Sequence, residues 1–235
     1  FQRAMRDEGL LPGVSEPFTN LLTQGMVLAE TYYTDANGRR EWVNPAEVEL
    51  TRDAKGKILA ARTKDGREVV YDGVGTMSKS RNNGVDPQQL IEMYGADTAR
   101  FFIIFASPPT STLEWSDEGV EGSFRFLKRL WAYGARFDQA AEMKESLQAA
   151  TRFEIHSVLK QANYDLQKLQ FNTVASAAMK ILNALERFSG GRNKVTEEGL
   201  SILLRLLSPI TPHICHVLWR ELGYGEDVLK APWPE

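Results

Sequence analysis

The chain has 235 residues, 43% of them apolar and 25% charged, which is enough for one large or two modest domains around a buried core. Its formal charge of −3 excludes a protein that binds nucleic acid over its whole surface, but it leaves room for a local basic face. A single cysteine, Cys215, excludes an internal disulfide framework, and with no apolar run near the ~18 residues of a membrane span and no leader pattern, a cytoplasmic chain without a membrane partner is expected.

In chain order, Phe1 to Glu8 predicts a short charged helix ending near Gly9, followed by a Pro/Ser/Glu loop. Leu21 to Leu28 predicts a short apolar strand, in which Gly25 marks a bulge or a close backbone approach. From Thr31 to about Tyr71 the pattern is that of hairpins. Asn37-Gly38 lies between Tyr32-Tyr33 and Glu41-Trp42-Val43, and Lys64-Asp65-Gly66 lies between Ile58 to Arg62 and Val69-Val70-Tyr71. This β-rich module has too little apolar content for a large domain, so it is expected to be an insertion packed on a larger body. Arg39, Arg40, Arg52, Lys55, Lys57, Arg62, Lys64 and Arg67 give it a cationic face, which is solvated or in part meets nucleic-acid phosphate.

The stretch from Gly75 to Pro87 changes character. Two glycines bracket hydroxyl, amide and cationic side chains, a polar loop able to close on an anion. Ser-Lys-Ser by itself is common in solvated loops, and the Walker A pattern is absent. After the loop, Asp86 as N-cap, Pro87 at the first helical position, Gln89 as a capping-box partner and Gly95 as terminator predict a helix over Pro87–Tyr94. Asp97 is expected to cap a second helix from Thr98 to Phe105, apolar all round and therefore buried.

Beyond Ser116 the period is helical. Val120, Phe124, Leu127 and Trp131 share one predicted face, with Arg125, Lys128 and Arg129 largely off it. Three further helices are predicted, over Met143–Gln170, over Thr173–Phe188 with Asn172 as cap, and over Thr196–Leu207 with Glu197 and Glu198 favouring its N-terminal dipole. A last one runs to Leu222, completing an antiparallel bundle. His213 and His216 flank Cys215, but no carboxylate or second cysteine has ligand spacing with them, so packing and not metal is expected there.

A longer constellation carries a family resemblance. Met77-Ser78-Lys79-Ser80, Asn82-Asn83-Gly84, Asp86-Pro87, Tyr94-Gly95-Ala96-Asp97-Thr98, Arg100 and Leu113-Glu114-Trp115-Ser116 together resemble the signature-loop region of class I aminoacyl-tRNA synthetases. Arg81-Asn82-Asn83-Gly84, with Phe105-Ala106-Ser107-Pro108-Pro109 and Gly119-Val120-Glu121-Gly122, resembles the leucyl-tRNA synthetase family, whose isoleucyl and valyl relatives typically carry Leu-Gly-Asn at the first of these places. The run ending at Leu218-Trp219 resembles the anticodon-binding domain of that group. One position departs: the family's loop reads Lys-Met-Ser-Lys-Ser, and Thr76 stands where the first lysine belongs.

The resemblance implies an α+β chain. Residues 1–30 would end a Rossmann-type catalytic domain, 31–74 form a β-rich leucine-specific insertion, 75–115 hold the signature loop and a helical junction, and 116–235 form an all-α anticodon-binding bundle. It implies that Met77, Ser78, Lys79 and Ser80 meet the phosphates of ATP, that Lys79 is catalytic, and that Mg2+ accompanies ATP in the whole enzyme. It also implies leucine and tRNA(Leu) as partners of a monomeric enzyme, with tRNA near Arg125, Lys128 and Arg129. The family's His-x-Gly-His segment is not in the chain, so a fragment of something longer, inactive alone, is expected. A non-catalytic tRNA-binding module, an isoleucyl or valyl enzyme fragment and a plain helical interaction domain are the competing readings.

Overall fold

The computed structural model describes all residues except 12, 14, 15, 37, 56, 57, 138–143 and 188–190. After a short α1 (Gln2–Asp7) come five strands: β1 (Val27–Ala36), β2 (Arg39–Val43), β3 (Val48–Arg52), β4 (Ile58–Thr63) and β5 (Val70–Thr76). Helices α2 (Pro87–Tyr94) and α3 (Ala96–Ala106), the two-residue β6 (Leu113–Glu114), and helices α4 (Asp117–Ala135), α5 (Glu145–Gln167), α6 (Phe171–Glu186), α7 (Lys194–Leu207) and α8 (Pro212–Glu221) follow.

Strand β1 organises the first half. One edge carries β5 antiparallel, with Leu28 opposite Thr76 and Tyr33 opposite Val70. The other edge is divided: β2 returns antiparallel from the Gly38 turn, and β6 pairs parallel with Val27 and Leu28. The β3–β4 hairpin packs on this sheet through a small core of Tyr32, Val43, Ala61 and Val69. The Tyr32 phenol is buried there and donates to Glu30 at 2.6 Å; burial, and then that acidic partner, hold its pKa above the ordinary range.

Helix α3 joins the two halves because consecutive residues on it enter different cores. Phe101 is fully buried in the large cluster built by α4 to α8, 4.8 Å from the Phe126 ring. Phe102 faces the other way, into a cluster with Leu90, Leu113 and Val120, edge-on to Trp115 at 5.1 Å. In that large cluster Ile155, Leu159, Ile181, Leu182, Leu185, Leu200 and Leu203 supply the fully buried bulk that holds the helices together.

Several local expectations are corrected. The Leu21–Leu28 strand begins only at Val27, where β6 offers a partner, and Leu21, Leu22 and Met26 are exposed. The Gly66 turn forms and its two arms meet through the Thr63 N–H bond to the Arg67 carbonyl, the Arg62–Glu68 bridge and the Val69 N–H bond to the Ala61 carbonyl, but the strand leaving it, β5, then pairs with β1, and the ladder partner of β4 is β3. Asp86 caps α2 through the Gln88 N–H at 2.9 Å, whereas Gln88, and not a Gln89 capping box, makes the side-chain bond of that first turn, to Glu92. Helix α3 starts at Ala96, after Gly95 at φ +83°, a left-handed turn that suits glycine. Asp97 lies inside the helix and does not cap it, and Phe105 at the far end is exposed.

In the bundle, the buried face of α4 is Phe126, Leu127, Leu130 and Tyr133; of the expected stripe Val120 and Leu127 are buried, whereas Trp131 is exposed and Phe124 only half-buried. Both stripes obey the helical period, and the one that meets α3, α6 and α8 wins. Helix α6 starts at Phe171, which places Asn172 inside it with a buried side-chain oxygen that has no partner among the described residues. Helix α7 starts earlier than Thr196, at Lys194. Asn193 caps it, and the Thr196 hydroxyl completes a reciprocal capping box. The expected start at Met143 and end at Phe188 lie outside the described residues.

Of the two alternatives at Gly25, a bulge or a close approach, the structure shows the second, although outside any strand: a Cβ added there would stand 2.1 Å from the Ser111 carbonyl oxygen, which is backbone and cannot swing aside. Gly25→Ala is expected to cost about 1–3 kcal/mol through the backbone shift it forces. A urea unfolding midpoint for the variant that matches the parent chain would contradict that close packing.

Candidate functional site

The polar loop leaves β5 at Thr76 and turns back at once. The Met77 N–H bonds the Val27 carbonyl at 3.0 Å, and Ser78 caps a single 3-10 turn, Lys79–Arg81, its hydroxyl accepting from the Arg81 N–H at 3.3 Å. Asn82 follows at φ 50°, the left-handed conformation that asparagine tolerates better than most residues.

Asn83 is the fixed point of this turn. It is fully buried; its side-chain oxygen accepts from the Ser78 N–H at 2.8 Å. Its amide nitrogen lies 3.3 Å from the Thr76 carbonyl, 3.4 Å from the Gly75 carbonyl and 3.3 Å from the Thr31 hydroxyl. One side chain thereby satisfies both ends of the turn, as a buried polar group must.

The β2 region supports the loop from one side. The Asn82 amide reaches the Trp42 carbonyl at 3.4 Å, the Asn44 amide reaches the Gly84 carbonyl at 3.3 Å, and the Arg81 guanidinium lies 5.8 Å from the Trp42 ring centre. These contacts, about 40 residues apart in sequence, carry no signal within any local window.

What the loop leaves uncommitted is a cation, beside two hydroxyls that are bonded only within the turn. The Lys79 side chain is exposed and its ammonium has no hydrogen bond or ion pair among the described residues. The Ser78 and Ser80 hydroxyls lie 3.3 Å apart beside it, and Met77 is half-buried at the base. Residues 75–84 contain no carboxylate. A free ammonium and two hydroxyls on a fixed turn fit phosphate oxygens, and they do not fit a protein-ligated metal ion. Thr76 is exposed at the strand end, and the scaffold uses only its backbone: it pairs with Leu28 and its carbonyl accepts from Asn83.

The basic residues of α4 are all exposed but differently engaged. Arg125 lies 3.5 Å from Glu121, and the Lys128 ammonium stands 5.4 Å from the Phe124 ring centre. Arg129 is held across to α6 by Glu186 and, at 2.7 Å, by the Asn183 side chain. These three side chains lie in the helical half and no bond joins them to the loop. His213 bonds Asp97 at 2.9 Å and His216 lies 3.7 Å from Asp227. Burial pushes the Cys215 thiol up to about 12, which keeps it protonated and poorly suited to bind a metal. Among the described residues no group of three or more His, Cys, Asp or Glu side chains is placed to hold a metal ion, and no helix is long and apolar enough to cross a membrane.

Two sequence profiles match the chain. The one described as tRNA synthetases class I (I, L, M and V) covers residues 67–116, which contain the loop. The one described as the anticodon-binding domain of tRNA ligase covers residues 151–235. Over 254 aligned positions, and over 100% of its length, the chain is 59% identical to the leucine–tRNA ligase of Aromatoleum aromaticum (strain DSM 19018 / LMG 30748 / EbN1). The chain belongs to the leucyl-tRNA synthetase family. It is also 57% identical to the leucine–tRNA ligase of Azoarcus sp. (strain BH72), and it spans 29% of the length of each of these two relatives. Among solved structures it is similar to the Agrobacterium radiobacter K84 agnB2 LeuRS in its ternary complex with tRNA and LeuAMS. That match has a TM-score of 0.58 and 26% identity, and covers 68% of this chain and 22% of the other.

Asn83→Ala leaves the Ser78 N–H and two backbone carbonyls without their partner and is expected to destabilise the chain by about 1–3 kcal/mol. Asn83→Asp, which turns an acceptor towards carbonyl oxygens, is expected to cost at least as much in the same urea titration. An aspartate variant as stable as the parent would contradict the donor role of the amide.

Proposed function

We propose that this chain is the signature-loop part of the adenylation site, with the adjoining helical bundle, of a leucine–tRNA ligase that acts as a monomer in the cytoplasm. In this reading 1–30 closes the Rossmann-type domain, 31–74 is the leucine-specific insertion, 75–115 the loop and junction, and 116–235 the anticodon-binding bundle. The observation that carries it is the uncommitted Lys79 ammonium on a turn held by Asn83 and Ser78, within the segment that matches class I synthetases.

The reaction needs such a group. A leucine carboxylate oxygen bonds the α-phosphorus of ATP while the bond from that phosphorus to the bridging oxygen breaks, and pyrophosphate departs with growing negative charge. A cation that meets the β- and γ-phosphates as they separate stabilises the transition state more than the bound nucleotide, and so accelerates the step. Lys79 supplies a compact charge on a flexible stem, Ser78 and Ser80 add hydroxyl donors, and Met77 seats the base of the turn against its neighbours. Magnesium arriving with ATP would neutralise part of the phosphate charge, and residues 75–84 leave its coordination to the phosphates and to groups elsewhere.

For leucyl transfer, tRNA(Leu) would lie along the helical half, which matches an anticodon-binding domain. Arg125 and Lys128, exposed on α4, are the proposed phosphate contacts; Arg129 joins them by exchanging its bond to Glu186. The identities of 57–59% to leucine–tRNA ligases favour leucine over isoleucine or valine as the amino acid.

In the full-length ligase, Lys79→Ala is expected to slow leucine-dependent ATP–pyrophosphate exchange by roughly a hundredfold or more, the scale of losing a transition-state charge contact. Exchange at the parental rate would overturn the assignment of Lys79.

A further inference from the structure

Helix α8 begins without a cap of its own. Thr211 occupies the N-cap position but makes no side-chain cap bond, and Pro212 follows at the first helical position. The cap comes instead from α3: one oxygen of the buried Asp97 carboxylate accepts from the Ile214 N–H, in the third position of α8, at 2.8 Å. The other oxygen meets His213 Nδ1 at 2.9 Å. A buried carboxylate at a helix N-terminus, accepting from an otherwise orphaned amide, is well placed electrostatically.

Three residues on, on the same face of α3, Arg100 grips the opposite end of the same turn. Its Nε donates to the Ile210 carbonyl at 2.9 Å, and a terminal nitrogen donates to the Pro209 carbonyl at 3.2 Å. The acid therefore faces the positive start of α8 and the base faces carbonyls left over after α7. A swap of the two charges would reverse both interactions.

Helix α3 is also rigidly joined to the loop. Only Gly95 separates α3 from α2; the Thr98 hydroxyl donates to the Tyr94 carbonyl at 2.7 Å across that corner, and α2, capped by Asp86, starts at Pro87 shortly after the Asn83 turn. We propose that Asp97 and Arg100 are positioning residues, a two-point clamp that fixes the α7–α8 turn, and with it the tRNA-binding bundle, relative to the adenylation loop. This rests on the ligase reading above. Its consequence is specific: the clamp serves the step that uses tRNA and leaves the step that uses only ATP and leucine.

The test uses the full-length ligase with Asp97→Asn and Arg100→Gln, and with Arg100→Lys as the conservative replacement, each checked for folding by circular dichroism and thermal melting. Leucine-dependent pyrophosphate exchange without tRNA is expected to stay within about twofold of the parent, while kcat/KM for tRNA in leucylation falls roughly tenfold. Arg100→Lys, which keeps a donor for one carbonyl, is expected to recover part of that loss. Equal losses in both assays, or no loss in either, would overturn the clamp as a positioning device. Amide hydrogen exchange gives an independent readout: in Asp97→Asn the Ile214 amide is expected to exchange faster while α3 amides do not change, and parental protection at Ile214 would overturn the clamp. A parent enzyme without leucine-dependent exchange would instead overturn the ligase reading, and the Ile214 amide would still decide whether the clamp exists.

Discussion

Asn83 imposes the constraint on which the site depends. A side-chain amide with an acceptor on one atom and a donor on the other closes the turn between Thr76 and Ser78, and the turn is then held without any contribution from the Lys79 side chain. Rigidity of the backbone and freedom of the ammonium are thus separate properties of the same short segment. An ammonium drawn into the scaffold would be neutralised by its partner, and a scaffold that needed it would collapse when it moved to a ligand. The exposed Thr76 fits the same division, since its backbone is used and its side chain is not.

The second structural fact is that α3 belongs to two cores. Phe101 is committed to the bundle and Phe102 to the sheet-side cluster, so the halves cannot separate without exposing one aromatic ring or the other. Burial of that kind holds two bodies together but is non-directional, and alone it tolerates sliding. Asp97 and Arg100 add direction on the same helix, because their bonds are made to particular backbone atoms of the α7–α8 turn. Apolar contact and charged contact therefore have different tasks on neighbouring turns of one short element.

Much of this was legible in the sequence, and the part that was not has one cause. The helix over Pro87–Tyr94, the β1–β2 hairpin at Gly38 and the polar loop all follow from residues next to one another in the chain. The pairing of β5 with β1, the cap of α8 by Asp97 and the support of the loop by Trp42 and Asn44 join residues roughly 40 to 117 positions apart. Asp97 looked like the cap of its own helix because Asp next to a helical run usually is one, and tertiary contact gave its carboxylate to another helix. The α4 face was read as Val120, Phe124, Leu127 and Trp131 for a related reason: two stripes had the helical period, and only the packing partners decided between them. The uncommitted state of Lys79 likewise emerged only once the partners of its neighbours were known.

The most direct measurement is a crystal structure of the full-length ligase with ATP or a leucyl-adenylate mimic and pyrophosphate bound. The account predicts the Lys79 ammonium about 3 Å from a phosphate oxygen, at charge-assisted hydrogen-bond distance, with the Asn83 contacts to Ser78 and Thr76 intact. An ammonium that points into solvent in every closed state, or a turn that abandons Asn83 in order to reach the nucleotide, would contradict it.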